Sequence, residues 1–232
     1  MKDKKISKTS EFTGVHDFLK FVHDGQPEWA LFAVKAPIDE VSDEFVEFRG
    51  AATLTRDVPV KPAGEYDDVA SLVPVVAIKD NSWTIVYRAV LHVGKHLIDA
   101  VAEEAKELSA RLNTHTITFA GEDTSGANRY ELFEKGKLLE VAEWEVGGEF
   151  FRFKSSLRKR PELEQVTDEF VDGVFSEHGI YLPACYPMVD EENSWLAVEK
   201  ASVAAVERAD LIELEEEDED EDEDDYEDED EG

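Results

Sequence analysis

The hydrophobic positions of the chain predict four helices. In each of four stretches, apolar residues recur every three or four positions, which is the spacing that puts them on one face of a helix. The clearest stretch is residues 95–112, where Glu104 and the neighbouring charges fall away from the apolar face. The other three stretches are residues 15–22, 37–50 and 166–179. A glycine follows or closes each of these three, and glycine commonly ends a helix.

Shorter apolar runs predict strands. Residues 114–119 alternate threonines with His115, Ile117 and Phe119, which is the period of two that a strand requires. Further strands are predicted at residues 29–34, 72–79, 82–90, 129–134, 137–146, 149–155 and 210–214. Asp80-Asn81 is a plausible turn for a hairpin, and the strands of residues 129–155 read as a three-stranded antiparallel meander. Residues 194–208 fit a helix and a strand equally well.

These elements predict an α+β fold, with a mostly antiparallel sheet and the 95–112 helix packed on one face. The first 50 residues would add a helix–strand–helix unit, and the proline-containing loop at residues 58–68 is the candidate subdomain boundary. We therefore predict a globular body over residues 1–212 and a disordered acidic tail over residues 213–232. The tripeptide Asn81-Ser82-Trp83 recurs at residues 193–195, which is too short a match to establish an internal repeat.

The composition is that of an ordinary globular protein. Of the 232 residues, 42% are hydrophobic and 10% are aromatic, so the body can build a core. The single cysteine, Cys185, excludes a disulfide within the chain and a cysteine-based zinc site. No apolar run follows the first five residues, and no stretch approaches the roughly 18 apolar residues of a membrane span. We therefore expect a soluble cytoplasmic protein.

Charge is the unusual property of this chain. The net charge is −32, and residues 213–232 contain 17 acids without a lysine or arginine, which leaves −15 on the rest. So negative a protein repels nucleic acids and anionic lipids, and we expect neither as a partner. The tail is either a binding element for a basic protein or a solubilising appendage. Its candidate partner-binding residues are Glu213, Glu215, Glu216, Glu217, Asp218, Glu219 and Asp220.

A basic cluster interrupts this acidic background just before Pro161. Its members are Arg152, Lys154, Arg158, Lys159 and Arg160. Three interpretations stay open: the cluster docks an anion such as phosphate, it receives the protein's own tail, or it is a solvated strand end and loop.

The candidate catalytic residues are scattered and match no complete motif. His92 and His96 have metal-ligand spacing, but they lack the adjacent glutamate of zinc proteases. Asp123 lies in a turn-like sequence, and Cys185 lacks a histidine at a defined position. His115 shares a strand face with apolar residues, so we predict that it is buried and hydrogen-bonded. We assign no catalytic, cofactor-binding or metal-binding residue and expect no cofactor.

The function predicted from these features is a non-catalytic acidic interaction protein that binds a basic protein in an immunity-like, regulatory or escort role. One alternative is a hydrolase or transferase with dispersed active-site residues, which a perturbed histidine pKa in a cleft would favour. Another is a structural or regulatory subunit of a complex, which an exposed apolar patch would favour. The sequence leaves the partner and the oligomeric state open.

Overall fold

A computed structural model describes residues 28–50, 52–58, 72–78, 80–89, 97–122, 126–145, 151–159, 168–180 and 206–215. In chain order their elements are β1 (Glu28–Val34), α1 (Ile38–Arg49), β2 (Ala52–Thr55), β3 (Leu72–Ile78), β4 (Thr84–Ala89), α2 (Leu97–Arg111), β5 (His115–Glu122), β6 (Ala127–Glu134), β7 (Lys137–Glu145), β8 (Phe151–Ser155), α3 (Asp168–Glu177) and β9 (Val206–Leu214). No helix in these ranges is long and apolar enough to cross a membrane.

The strands form one nine-stranded sheet in the order β2-β9-β3-β4-β1-β5-β6-β7-β8. Every pair of neighbouring strands is antiparallel. The fold is therefore mixed, with a large antiparallel sheet and a few helices, as the sequence predicted. The predicted pairing of β3 with β4 and the meander of β6, β7 and β8 are confirmed.

Two apolar layers lie on opposite faces of this sheet. Because side chains alternate along a strand, Leu31 of β1 enters one layer and Phe32 enters the other. α3 packs on the first layer through Val171, Val174 and Phe175. α1 and α2 pack on the second layer. The central strand β1 is buried on both faces, which explains its nearly continuous apolar sequence.

The helices begin and end close to the predicted positions. Pro37 is the N-cap of α1, where a missing backbone N–H costs nothing. Gly50 ends α1 with a φ of 77°, and its N–H donates to the carbonyl of Val46. One detail of α2 was wrong in the sequence analysis: the Glu104 side chain points at the sheet and is only 2% exposed.

Two features of the sheet were not predicted: the strand β2 and the part of β9 before residue 210. β2 is a four-residue strand whose alternation is too short to stand out in the sequence. β9 extends from Val206 to Leu214, and Glu213 pairs with Thr53 on one side and Leu72 on the other. Glu213 is therefore a strand residue, as the predicted strand over residues 210–214 requires, although the predicted tail also began at this residue.

Strands from both sides of the candidate subdomain boundary join one sheet. β1 lies at its centre, between β4 and β5. β2 and β3 flank the proposed boundary at residues 58–68, and both pair with β9. The predicted helix at residues 15–22, most of residues 58–68, residues 194–205 and the tail beyond Glu215 lie outside the described residues.

Candidate functional site

The described members of the predicted basic cluster lie on β8 and the turn after it, and its two described arginines are engaged within the chain. β8 turns Phe151 and Phe153 toward the first apolar layer. Arg152, which alternates with them, donates to the Glu143 carboxylate at 3.0 Å. Arg158 lies between two carboxylates, at 2.9 Å from Glu140 and 2.9 Å from Glu177.

The other members of the cluster differ. Lys154 and Lys159 are exposed, and Arg160 lies outside the described residues. The structure therefore does not present the five predicted residues as one group of free cations.

Glu140 ties the end of β8 to its neighbours. Its buried carboxylate accepts hydrogen bonds from the Tyr130 hydroxyl at 3.1 Å, from Arg158 at 2.9 Å and from the Ser155 hydroxyl. Burial, followed by the nearby Glu140 carboxylate, raises the pKa of Tyr130. The Ser155 oxygen also accepts the backbone N–H groups of Leu157 and Arg158, at 2.9 and 3.0 Å. Ser155 therefore fastens the turn after β8, because its hydroxyl donates to Glu140 and its oxygen accepts two backbone N–H groups.

A second buried carboxylate, Asp210, joins α1 to β9. It accepts hydrogen bonds from the Ser42 hydroxyl at 3.0 Å, from the Asp57 N–H at 2.9 Å and from Arg208 at 2.9 Å. Arg208 also lies 2.9 Å from Asp39, and its hydrogen bond lowers the pKa of Asp39. Since the donors come from three parts of the chain, Asp210 has a structural role.

Arg88 and Glu104 form an ion pair under α2. Both side chains are almost completely buried, and Nε of Arg88 lies 3.0 Å from Oε2 of Glu104. Arg49 lies 3.5 Å from the other carboxylate oxygen. The atoms are in ion-pair contact, but among the described residues no aligned hydrogen bond reaches the nitrogens of the Arg88 guanidinium. Burial lowers the pKa of Arg88 and raises that of Glu104.

The same pairing holds for every arginine in the described ranges. Each lies within ion-pair distance of a carboxylate of the chain: Arg49, Arg56, Arg88, Arg111, Arg129, Arg152, Arg158 and Arg208. A guanidinium that already faces a carboxylate is poorly placed to bind an external anion. The described arginines are therefore engaged within the chain and are not free cations on its surface.

Acidic side chains dominate the outer face of α1. The exposed acids there are Asp39, Glu40, Asp43 and Glu47. Arg56 contacts Asp39 and Asp43, and Arg111 lies 3.7 Å from Glu47. The arginines therefore partly neutralise this face, and Glu40 is its exposed acid without an ion pair among the described residues.

His178 and His115 lie near each other at the end of the sheet where β5 begins. His178, just after α3, packs edge-on against Trp83, with ring centroids 5.6 Å apart. Burial lowers the pKa of His178, and the charge of His115 lowers it further. Lys35 lies 5.9 Å from the Trp83 ring. Sequence reasoning missed this group because its members come from different elements and share no sequence spacing.

His115 corrects one prediction. It lies on the predicted strand face with Ile117 and Phe119, but its side chain is 34% exposed, since it stands at the strand end. Its Nε2 atom lies 3.6 Å from a carboxylate oxygen of Glu134. The remaining candidates, His92, His96, Asp123 and Cys185, lie outside the described residues.

No metal centre is evident in the part of the chain that the structure describes, where no three His, Cys, Asp or Glu side chains could share an ion. Comparison with protein-family models, curated proteins and solved structures finds no match to this chain. The function must therefore be argued from the charges and contacts above.

Proposed function

We propose that this protein is a non-catalytic acidic binding protein whose partner is a basic protein. Its role would be immunity-like, regulatory or escorting: it would neutralise or carry that partner. The observation that carries the proposal is the ion pairing of every described arginine in a chain with a net charge of −32.

The pairing of arginines within the fold matters because it determines the sign of the charge that remains on the surface. Arginines that close ion pairs within the fold leave the excess of carboxylates as the charge that an approaching molecule meets. Ten consecutive acids at residues 216–225 extend this charge beyond β9. Complementary charge raises the association rate and favours basic partners over others.

The outer face of α1 is the part of the body best suited to give specificity. A helix held by the Asp210 network offers its acids at fixed spacing, which a flexible acidic chain does not. We therefore assign the first capture of the partner to the acidic tail and its selection to α1.

The experiment is affinity capture of basic proteins from native lysate, followed by titration of the identified partner against purified variants. Three chains are compared: the full chain, a chain that ends at Glu215, and a full-length chain with Asn and Gln replacing the acids after Glu215. The truncation keeps all of β9, because the strand ends at Leu214. Each is measured at about 0.1 M and about 1 M salt, where the Debye length is about 10 Å and about 3 Å.

We expect one basic protein to bind the full chain and to lose at least about tenfold in affinity at high salt. The neutral-tail chain should associate more slowly, and Glu40→Gln with Glu47→Gln should weaken binding to the body. Failure to capture any basic protein, or binding that salt and both sets of variants leave unchanged, would refute the proposal.

A further inference from the structure

The C-terminal end of α3 is attached to the sheet through the residues that follow the helix. Of the helices that the structure describes, α3 alone packs on the first apolar layer. Gly179, with a φ of 77°, turns the chain after the helix, and the Ile180 N–H donates to the Phe175 carbonyl at 3.0 Å. Ile180 is only 1% exposed and belongs to the same apolar layer. The side-chain amide of Asn81 donates to the Gly179 carbonyl at 3.1 Å, so the turn before β4 fastens the end of α3.

His178 lies within this attachment. Its ring packs edge-on against Trp83, with ring centroids 5.6 Å apart, and it is half-buried there. The Trp83 N–H donates to the side-chain carbonyl of Asn81 at 3.0 Å. Asn81 therefore fixes both sides of the ring contact, since its amide holds the backbone beside His178 and its carbonyl holds Trp83. A proton on the His178 ring would be placed partly out of water.

The surroundings of His178 do not favour a further positive charge. The titratable and charged groups that face it are His115 of β5, Glu177 of α3, Lys35 after β1 and Arg158 after β8. The Lys35 N–H donates to the His115 carbonyl at 3.0 Å, and the Lys35 ammonium lies 5.9 Å from the centre of the Trp83 ring. Glu177, the carboxylate of this group, binds Arg158 at 2.9 Å. Glu134 of β6 lies 3.6 Å from the outer side chain of His115.

We propose that a proton on His178 controls the docking of α3: neutral His178 keeps the end of the helix on the sheet, and protonated His178 releases it. Release would expose Trp83, which is 3% exposed in the docked state, and the apolar surface that Ile180 covers. The protein would then present an apolar patch under mildly acidic conditions, and such patches commonly bind other proteins. This response requires no basic partner.

The sign of the pH dependence follows from the cost of protonating His178 in place. Burial and the charge of His115 lower its pKa below the usual value of about 6.5, and Lys35 and Arg158 act in the same direction. Glu177 and the carbonyls at the end of α3 oppose this shift without cancelling it. A released His178 is in water and regains its usual pKa. Docking is therefore strongest above about pH 6.5 and weakens as the pH falls from there toward the pKa of docked His178.

The first measurement is NMR of the full chain between about pH 8 and about pH 5, which follows the His178 ring and amide exchange. We expect His178 to titrate below the usual histidine value, and the protection of the Phe175 and Ile180 amides to fall at least about threefold on acidification. The amides of β1 should keep their protection, which distinguishes release of α3 from unfolding of the whole chain. A His178 pKa at or above the usual value would overturn the proposal, and so would constant protection in α3 or an equal loss in β1.

The second measurement repeats the exchange experiment with three variants of the full chain. His178→Phe keeps a ring against Trp83 but takes up no proton, so the protection of the α3 amides should no longer depend on pH. Lys35→Gln removes a facing cation, so it should raise the pKa of His178 and reduce the pH dependence. Lys106→Gln is the matched control, since it removes the same charge from the exposed side of α2, which packs on the other apolar layer.

A pH dependence that survives His178→Phe would overturn the proposal, as would equal effects of Lys35→Gln and Lys106→Gln. The titration of the parent chain needs no variant, so it decides the matter even if His178→Phe does not fold. All of these measurements use this chain alone, so they can fail while basic-protein binding succeeds.

Discussion

At the scale of single residues, Arg88 and Glu104 are the most demanding groups in the described core. Arg88 lies on β4 opposite Ala30 of β1, which is in turn opposite Ala120 of β5. Small neighbours of this kind leave room for a guanidinium under α2. Each charge is tolerated because the other is present, since an isolated buried ion would be far more costly than the pair.

We predict that Glu104→Gln lowers the free energy of unfolding by about 3–5 kcal/mol, because it leaves the buried Arg88 cation without its carboxylate. Urea unfolding at neutral pH measures this loss. The double variant Arg88→Met, Glu104→Leu is the control, and it should be close to the parent in stability, since it removes both charges together. A Glu104→Gln chain as stable as the parent would show that the pair is not buried as described.

The same pair gives a pH dependence. Burial raises the pKa of Glu104, and this shift should grow in Arg88→Met, where the cation no longer favours the carboxylate. A carboxyl whose folded pKa is raised stabilises the fold below its unfolded pKa and loses that effect as pH rises through the folded pKa. Arg88→Met should therefore lose less stability at pH 5 than at pH 8, relative to the parent.

At the scale of elements, two turn glycines have different roles. Gly50 after α1 and Gly136 between β6 and β7 both have positive φ, at 77° and 75°. A Cβ on Gly50 would meet no atom within 4 Å, whereas one on Gly136 would lie 2.8 Å from Cβ of Ala110 on α2. The β6–β7 turn therefore touches the C-terminal part of α2, and the Gly136 N–H donates to the Ser109 hydroxyl at 3.1 Å.

We predict that Gly50→Ala destabilises the protein by about 1 kcal/mol, the cost of left-handed backbone for alanine. Gly136→Ala should lose about 1–3 kcal/mol more, because the added methyl group must push α2 away from the turn. Chemical unfolding of the two variants makes the comparison, with each serving as the other's control for backbone strain. Equal losses of unfolding free energy in the two variants would mean that α2 moves away from the added methyl group without an energetic cost.

At the scale of the whole molecule, the sheet depends on β9, which is the last described strand in sequence. It lies between β2 and β3, and the described pairing of β2 is with β9 alone. The Asp210 network also joins it to α1. The sheet therefore depends on a segment that follows β3 by more than a hundred residues in sequence.

We predict that a chain ending at Glu215 unfolds at the same urea concentration as the full chain, whereas one ending at residue 205 does not fold cooperatively. The first retains every described strand, and the second leaves β2 without its partner and buried apolar residues of β3 without a neighbouring strand. Circular dichroism during urea unfolding tests both. Cooperative unfolding of the shorter chain would show that β9 is dispensable.

Local patterns predicted much of this protein. The 3.6-residue period predicted α2 and α3, alternation predicted β5, and the turn residues predicted the β6–β7–β8 meander. Each of these signals lies within one element or between neighbours in sequence. The acidic charge was also evident without a structure. The net charge follows from the sequence without a fold. The function proposed from this charge is therefore the same before and after the structure.

Tertiary structure alone decided which charges pair and which remain free. Ser42 of α1 is hydrogen-bonded to Asp210 of β9, and Glu104 faces the core because Arg88 on β4 lies beneath it. The engaged arginines look like the exposed lysines Lys135, Lys137, Lys154 and Lys159 in the sequence, although these lysines pair with no carboxylate of the described residues. Their difference depends on the register of strands that are distant in the chain, and periodicity within one element carries no information about that register.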